Sequence, residues 1–289
     1  MKTLVKNIYS WIINPDESSL DIDFKSKLIL LGKMLVLDIL FAIPIGLMLE
    51  LIHYNLYSLN TILIDWHPIF LFLLIIVLGP FFEELIFRFP LKYERNYLVI
   101  AINAFTNDWI YNRWGYIFRY FLYIMISLFG FIHISNYAND DSVFYFLSPI
   151  IVGSQLFGGI VFSYCRIKLG FMWAFIQHSL FNLFVMVMGL LFDHNSSLMS
   201  KSSDKISLEI TELMYIDKET SCYSINRKDG RIYSIDAVNI SLYQFMDSLQ
   251  TKGPKPYDNT WINATFVSKD GSTESEIIET IKSDIKFEE

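Results

Sequence analysis

Cysteine is almost absent from this chain. Its two cysteines, Cys165 in an apolar stretch and Cys222 in a polar C-terminal part, are not placed to pair, so no disulfide framework holds the fold. Charge is scarce as well. Only 18% of residues are Asp, Glu, Lys or Arg, against 53% hydrophobic and 17% aromatic, where a soluble domain carries about 25% charged residues. That deficit argues against an ordinary soluble protein and for a membrane-embedded one. There is no basic patch, which excludes nucleic acid as an expected partner. The net charge of −7 comes mostly from residues 193–289, which hold 11 Lys/Arg against 17 Asp/Glu. Nor do residues 1–27 look like a secretory leader, because Asp16, Glu17, Asp21 and Asp23 stand where an apolar core and cleavage site would be.

Long apolar runs are what the chain does have. Crossing the hydrocarbon takes about 20 mostly apolar residues, and five stretches meet that length: 28–52, 67–88, 116–135, 143–165 and 171–192. The first of them includes Lys33 and Asp38. Residues 97–105 are apolar but too short to span, and suggest an interfacial or re-entrant helix. Orientation follows from Lys and Arg in the short loops. Lys2, Lys6, Lys25 and Lys27 precede the first stretch, Lys92, Arg95 and Arg113 follow the second, and Arg166 and Lys168 follow the fourth, while 53–66 and 136–142 carry none. The pattern predicts a cytoplasmic N-terminal segment over 1–27, with an interfacial helix through Val5, Ile8, Trp11 and Ile12. A membrane-embedded domain over 28–192 and an extracytoplasmic domain over 193–289 follow. A bacterial cytoplasmic membrane is the expected location.

The composition changes abruptly at Asp193-His194-Asn195-Ser196-Ser197. Alternating apolar positions in Ile206–Met214 predict a strand, and Ser221–Asn226 with Arg231–Ile235 a hairpin across Lys228-Asp229-Gly230. Residues 241–250 read as a helix, 260–268 as a strand, and 274–287 as a helix with Ser272 or Thr273 as N-cap. The fold class expected is therefore an α-helical polytopic membrane protein of about five spans with a small C-terminal α+β domain. The tail shows no catalytic motif and the chain no internal repeat.

Within the apolar stretches stand Glu83, Glu84 and Arg88, then His133, then His178 and Asn182. A charge at the bilayer centre costs at least ~2.5–3.5 kcal/mol, so such residues are rare unless they face a polar cavity. Glu84 and Arg88 are i, i+4 neighbours in the favourable order and should pair. Glu83 points about 100° away and lacks an obvious partner, which suits a general base. His178 and Asn182 project from one helical face and could stabilise an oxyanion, although His and Asn also serve as plain interhelical hydrogen-bond glue. His133, at a span's end, could equally be a hydrogen-bonded edge residue. Together the segments supply a base, a group to hold water, and donors for developing negative charge.

The ordered patterns EExxxR (Glu83–Arg88), FxxxH (Phe129–His133) and HxxxN (His178–Asn182), with Gly158-Gly159-Ile160 between the last two, resemble the CPBP family of intramembrane peptidases. That family includes CAAX prenyl proteases and bacteriocin-processing, immunity-linked membrane proteins. The resemblance covers about 67–192 and implies an endopeptidase acting on a peptide or membrane-tethered substrate. Glu83 would activate water with His133, His178 and Asn182 would stabilise the oxyanion, and Glu84 and Arg88 would support them. Glu83, His133 and His178 would be acceptable zinc ligands in type and number, but a metal-free glutamate mechanism fits the same residues and is the working reading. One departure is Phe89-Pro90-Leu91, where many relatives follow the motif's Arg with Gly. Two rivals stand beside it: a non-catalytic scaffold or immunity-type protein acting through its tail, and a proton or ion carrier. Against the carrier, the chain lacks the inverted repeat that transporters show. The oligomeric state is not legible.

Overall fold

Among the described residues, five helical segments are long and apolar enough to cross a bilayer: Phe24–His53, Ile69–Leu91, Trp109–Asn136, Ser142–Leu169 and Phe171–Phe192. The protein is an integral, multi-pass membrane protein. The computed structural model describes residues 1–57, 59, 61–62, 66–192, 194–214, 221–249, 256, 259–283 and 285. It divides into two compact units, Met1–Tyr57 with Phe72–Phe184, and Ser58–Leu71 with Val185–Glu289. Asp193 at the expected boundary, residue 250 of the first expected tail helix, and 284 and 286–287 of the second lie outside the described residues.

In the first unit α1 (Lys2–Ile13) is amphipathic. Its buried stripe is Leu4, Ile8 and Trp11, at i, i+4, i+7 spacing. Val5, which the sequence put on that face, is 47% exposed, because it lies one residue, about 100°, round from Leu4. Trp11 meets Tyr164 edge-on at 5.4 Å, so α1 is part of the bundle. Its buried residues share one core with Leu31, Met34, Trp114, Phe118, Leu122, Val161 and Tyr164. The segment after α1 is tied down by charge: Lys168 Nζ donates to Asp16 at 3.1 Å and to Ser18 O at 3.0 Å, and Glu17 accepts from Tyr93 N and Trp114 Nε1.

The first span is α2 (Phe24–Asn55), apolar all round, with Leu28, Ile29, Val36, Leu40, Leu47 and Leu51 exposed, as suits a helix facing lipid. The second span is not one regular helix. A short α3 (Pro68–Leu73) passes through a π-helical turn, Leu74–Leu78, into α4 (Gly79–Phe87). After two 3₁₀ turns, Asn96 caps α5 (Tyr97–Ala104), accepting from Val99 N at 3.0 Å. The third span, α6 (Trp109–Ile132), starts seven residues earlier than the apolar run suggested. The fourth is two helices, α7 (Ser142–Ile151) and α8 (Gly153–Leu169), with Val152 between them. The apolar run hid that break, which falls where Pro149 withholds an N–H and Gly153 relaxes the backbone. α6 and α8 approach so closely that a Cβ on Gly130 would sit 2.3 Å from Leu156 Cδ2, the small-residue packing expected of membrane helices. The fifth span is α9 (Phe171–Phe192).

The second unit contains an antiparallel five-stranded sheet in the order β1-β2-β5-β4-β3. Its strands are β1 (Ser197–Ser202), β2 (Ile206–Leu213), β3 (Cys222–Lys228), β4 (Arg231–Ser241) and β5 (Trp261–Ser272), with α10 (Leu242–Leu249) and α11 (Glu274–Lys282). Strand β1 went unread because its sequence, SLMSKS, is mostly polar. The β3–β4 hairpin turns at Asp229 and Gly230, with φ of 50° and 76°, as a tight two-residue turn requires. Leu208, Ile235, Phe245, Phe266, Ile277 and Ile281 form the core.

Thr273 caps α11 in a full capping box with Glu276. The Thr273 backbone N–H, followed by its hydroxyl, holds the Glu276 carboxyl below its ordinary value. A depressed folded-state pKa means the stabilisation is complete above the unfolded value and disappears as pH falls through the folded one. Thr273→Ala should cost about 1 kcal/mol, read as faster amide exchange through Ile277–Ile281. Acidification through the carboxylate range should reproduce the part due to Glu276. Unchanged exchange in Thr273→Ala would show that packing alone holds α11.

Candidate active site

Helix α4 presents two adjacent carboxylates to different surroundings. Glu84 is fully buried and lies 3.3 Å from the Arg88 guanidinium, one turn on. It also accepts from His178 Nδ1 at 3.0 Å. Glu83, turned away on the helix, keeps 31% of its side-chain surface exposed, and its Oε2 lies 3.5 Å from His178 Nε2. One imidazole on α9 therefore lies between both carboxylates. Because Glu84 accepts at Nδ1, that nitrogen carries a proton, and Nε2 is the atom turned to the Glu83 side.

His133 follows α6 directly. Its Nδ1 lies 2.7 Å from Phe129 O; a carbonyl only accepts, so Nδ1 is protonated and Nε2 holds the lone pair in the neutral ring. Glu83, His178 and Arg88 all lie within its electrostatic reach. Asn182, one turn after His178, donates from Nδ2 to Ile75 O at 2.9 Å. The geometry thus brings Glu83, Glu84, Arg88, His133 and His178 together, and engages Asn182 with the backbone of the second span.

Aromatic rings wall this cluster. Arg88 lies over the Phe129 ring at 3.5 Å from its centroid, a desolvated cation–π contact. Phe129 also meets His133 and His178 edge-on, at 5.0 and 5.6 Å. Phe162 stacks on His178 at 4.5 Å and 21°. Phe87 completes the core with Phe129 and Phe162. These apolar walls strengthen each charge interaction inside them.

Two supports escaped the sequence. Buried Arg166, noticed only as a loop cation, donates through Nε to Arg88 O at 3.1 Å and through a terminal nitrogen to Phe89 O at 3.2 Å. It holds the carbonyl end of α4, where a cation complements the helix dipole, and secures the turn in which Phe89-Pro90 replaces the usual glycine. Gln177, next to His178, donates to buried Asp38 of α2 at 2.7 Å. No local pattern announces either partnership; Asp38 inside an apolar run was the one visible signal.

Among the described residues, no three His, Cys, Asp or Glu side chains are disposed to hold a metal ion. His178 and His133 each commit Nδ1, to Glu84 and to a backbone carbonyl, and keep Nε2 clear of those bonds.

Carboxylates and imidazoles are thus gathered inside a bundle of apolar helices. Residues 65–184 match the family model of type II CAAX prenyl endopeptidase Rce1-like proteins. Searches of curated proteins and of solved structures returned no match. Over that segment the chain is similar to CAAX-type intramembrane endopeptidases.

Proposed function

We propose that this protein cleaves a peptide bond of a membrane-tethered protein with a water activated by Glu83. The observation that carries the reading is the division of labour in α4: Glu84 is fully buried with its Oε1 against Arg88 and His178, whereas Glu83 is partly exposed beside an imidazole. Water lies between the Glu83 carboxylate and the His133 Nε2 lone pair. Glu83 takes a proton as the water oxygen attacks the scissile carbonyl carbon, and the carbonyl π-electrons pass to oxygen. His178, when protonated at Nε2, and a hydrogen of the Asn182 amide donate to that oxyanion. Collapse breaks the C–N bond, and Glu83 returns its proton to the leaving amine. No metal enters these steps. The Lys and Arg pattern supports a cytoplasmic N-terminus and an extracytoplasmic tail.

The test compares new protein termini, by mass spectrometry, in cells carrying wild type or Glu83→Gln at equal levels. Termini present only with wild type identify both the activity and its substrates. Identical termini would overturn the reading in favour of a non-catalytic protein acting through its tail.

A further inference from the structure

The bond from Asn182 to Ile75 reaches beyond oxyanion stabilisation. In an α-helix the Ile75 carbonyl would accept from the N–H of Gly79. Here Gly79 N–H goes five residues back, to Leu74 O, as the backbone passes through its π turn. The π register would next offer Ile75 the N–H of residue 80, but Pro80 has none. Ile75 O is thereby deprived of both regular backbone donors, in an apolar span where an unsatisfied carbonyl is costly. Asn182 Nδ2 stands 2.9 Å away and supplies the missing hydrogen.

The turn so held adjoins the reactive carboxylate. A Cβ on Gly79 would lie 2.9 Å from Leu74 O and 4.0 Å from Glu83 Oε1. A π turn inserts one residue into the helix and so rotates everything after it by about 100° relative to the α register. That rotation sets the direction in which Glu83 approaches His178 Nε2.

We propose that Asn182 is a positioning residue for Glu83: its amide completes the hydrogen bonding of a π turn that Pro80 leaves one donor short, and so fixes the direction of the base. Gly79 belongs to the same device. The second hydrogen on Nδ2 is left for the substrate. The inference rests on the reading of Glu83 as the base.

The experiment uses full-length wild type, Asn182→Ala, Pro80→Ala and the double variant in detergent micelles. One readout is cleavage of a fluorogenic peptide ending in a prenylated Cys-aliphatic-aliphatic-X sequence; the other is amide exchange over residues 76–83. Asn182→Ala should lower kcat by more than about 10²-fold, since a small misplacement of the base adds to the loss of an oxyanion donor, with KM within about twofold, and should speed exchange. In Pro80→Ala the chain regains an N–H, and Ile75 O is served from residue 80 or, if the turn relaxes, from residue 79. Removing Asn182 there should leave exchange unchanged and lower kcat less than it does in the wild-type background, the remaining loss being that of the oxyanion donor.

An equal kcat loss in both backgrounds, with exchange unmoved by Asn182→Ala, would overturn the inference and leave Asn182 acting on substrate alone. Should Pro80→Ala not fold, Gly79→Ala decides: faster exchange over 76–83 with a fall in kcat supports the device, and no change overturns it. If wild type leaves both the peptide and cellular proteins uncut, the proposed activity fails, while the exchange arm still decides whether Asn182 holds the turn.

Discussion

Glu83→Gln should abolish peptide cleavage, with a kcat loss of about 10²–10⁴-fold, and leave the protein as stable as wild type. The amide keeps the size of the carboxylate and can still approach His178, but it cannot take a proton from water. The partly exposed position of Glu83 makes the swap tolerable to the fold. Glu84→Gln tests the other half of the assignment, since that side chain is fully enclosed between Arg88 and His178. It should lose stability as well as rate. Kinetics on the prenylated peptide, with unfolding temperatures for both variants, separate the roles. An active Glu83→Gln enzyme would remove Glu83 from the chemistry.

Arg88→Met should be the most destabilising single change near the site, at about 3–5 kcal/mol, the typical result of stripping one partner from a buried ion pair. It leaves the Glu84 carboxylate enclosed without its cation and takes a guanidinium off the Phe129 ring. The double variant Glu84→Gln/Arg88→Met should recover most of that loss, because no lone charge is left inside. Unfolding of detergent-solubilised protein checks this. If Arg88→Met alone matched wild type, the carboxylate would have to be balanced by something other than Arg88.

The five spans were visible in the chain because hydrocarbon thickness imposes a length on apolar runs. The reactive groups were visible because polar side chains in such runs stand out. Position in a helix also separated Glu83 from Glu84, since adjacent residues diverge by about 100°. What stayed hidden depends on partners remote in sequence. Arg166 reads as an orientation signal until its guanidinium is found on the carbonyls of Arg88 and Phe89. Asn182 reads as an oxyanion donor alone until its amide is found on Ile75 O as well. Apolar runs also carry no sign of backbone register. The π turn at Leu74–Leu78 and the break at Val152 both lie inside sequences that read as uninterrupted helix.

The family likeness and the cooperatively folded body have different boundaries. The matched segment begins at residue 65, after the first span has ended. Yet Leu4, Ile8, Trp11, Leu31 and Met34 are buried in one core with Trp114, Leu122 and Tyr164. Lys168, at 8% exposure, takes its acceptors from Asp16 and Ser18. Excising the matched segment as a minimal enzyme would therefore strip one side of the bundle bare and strand a buried cation. The likeness marks where the proposed chemistry lies, but the body that keeps it in shape includes the first helix.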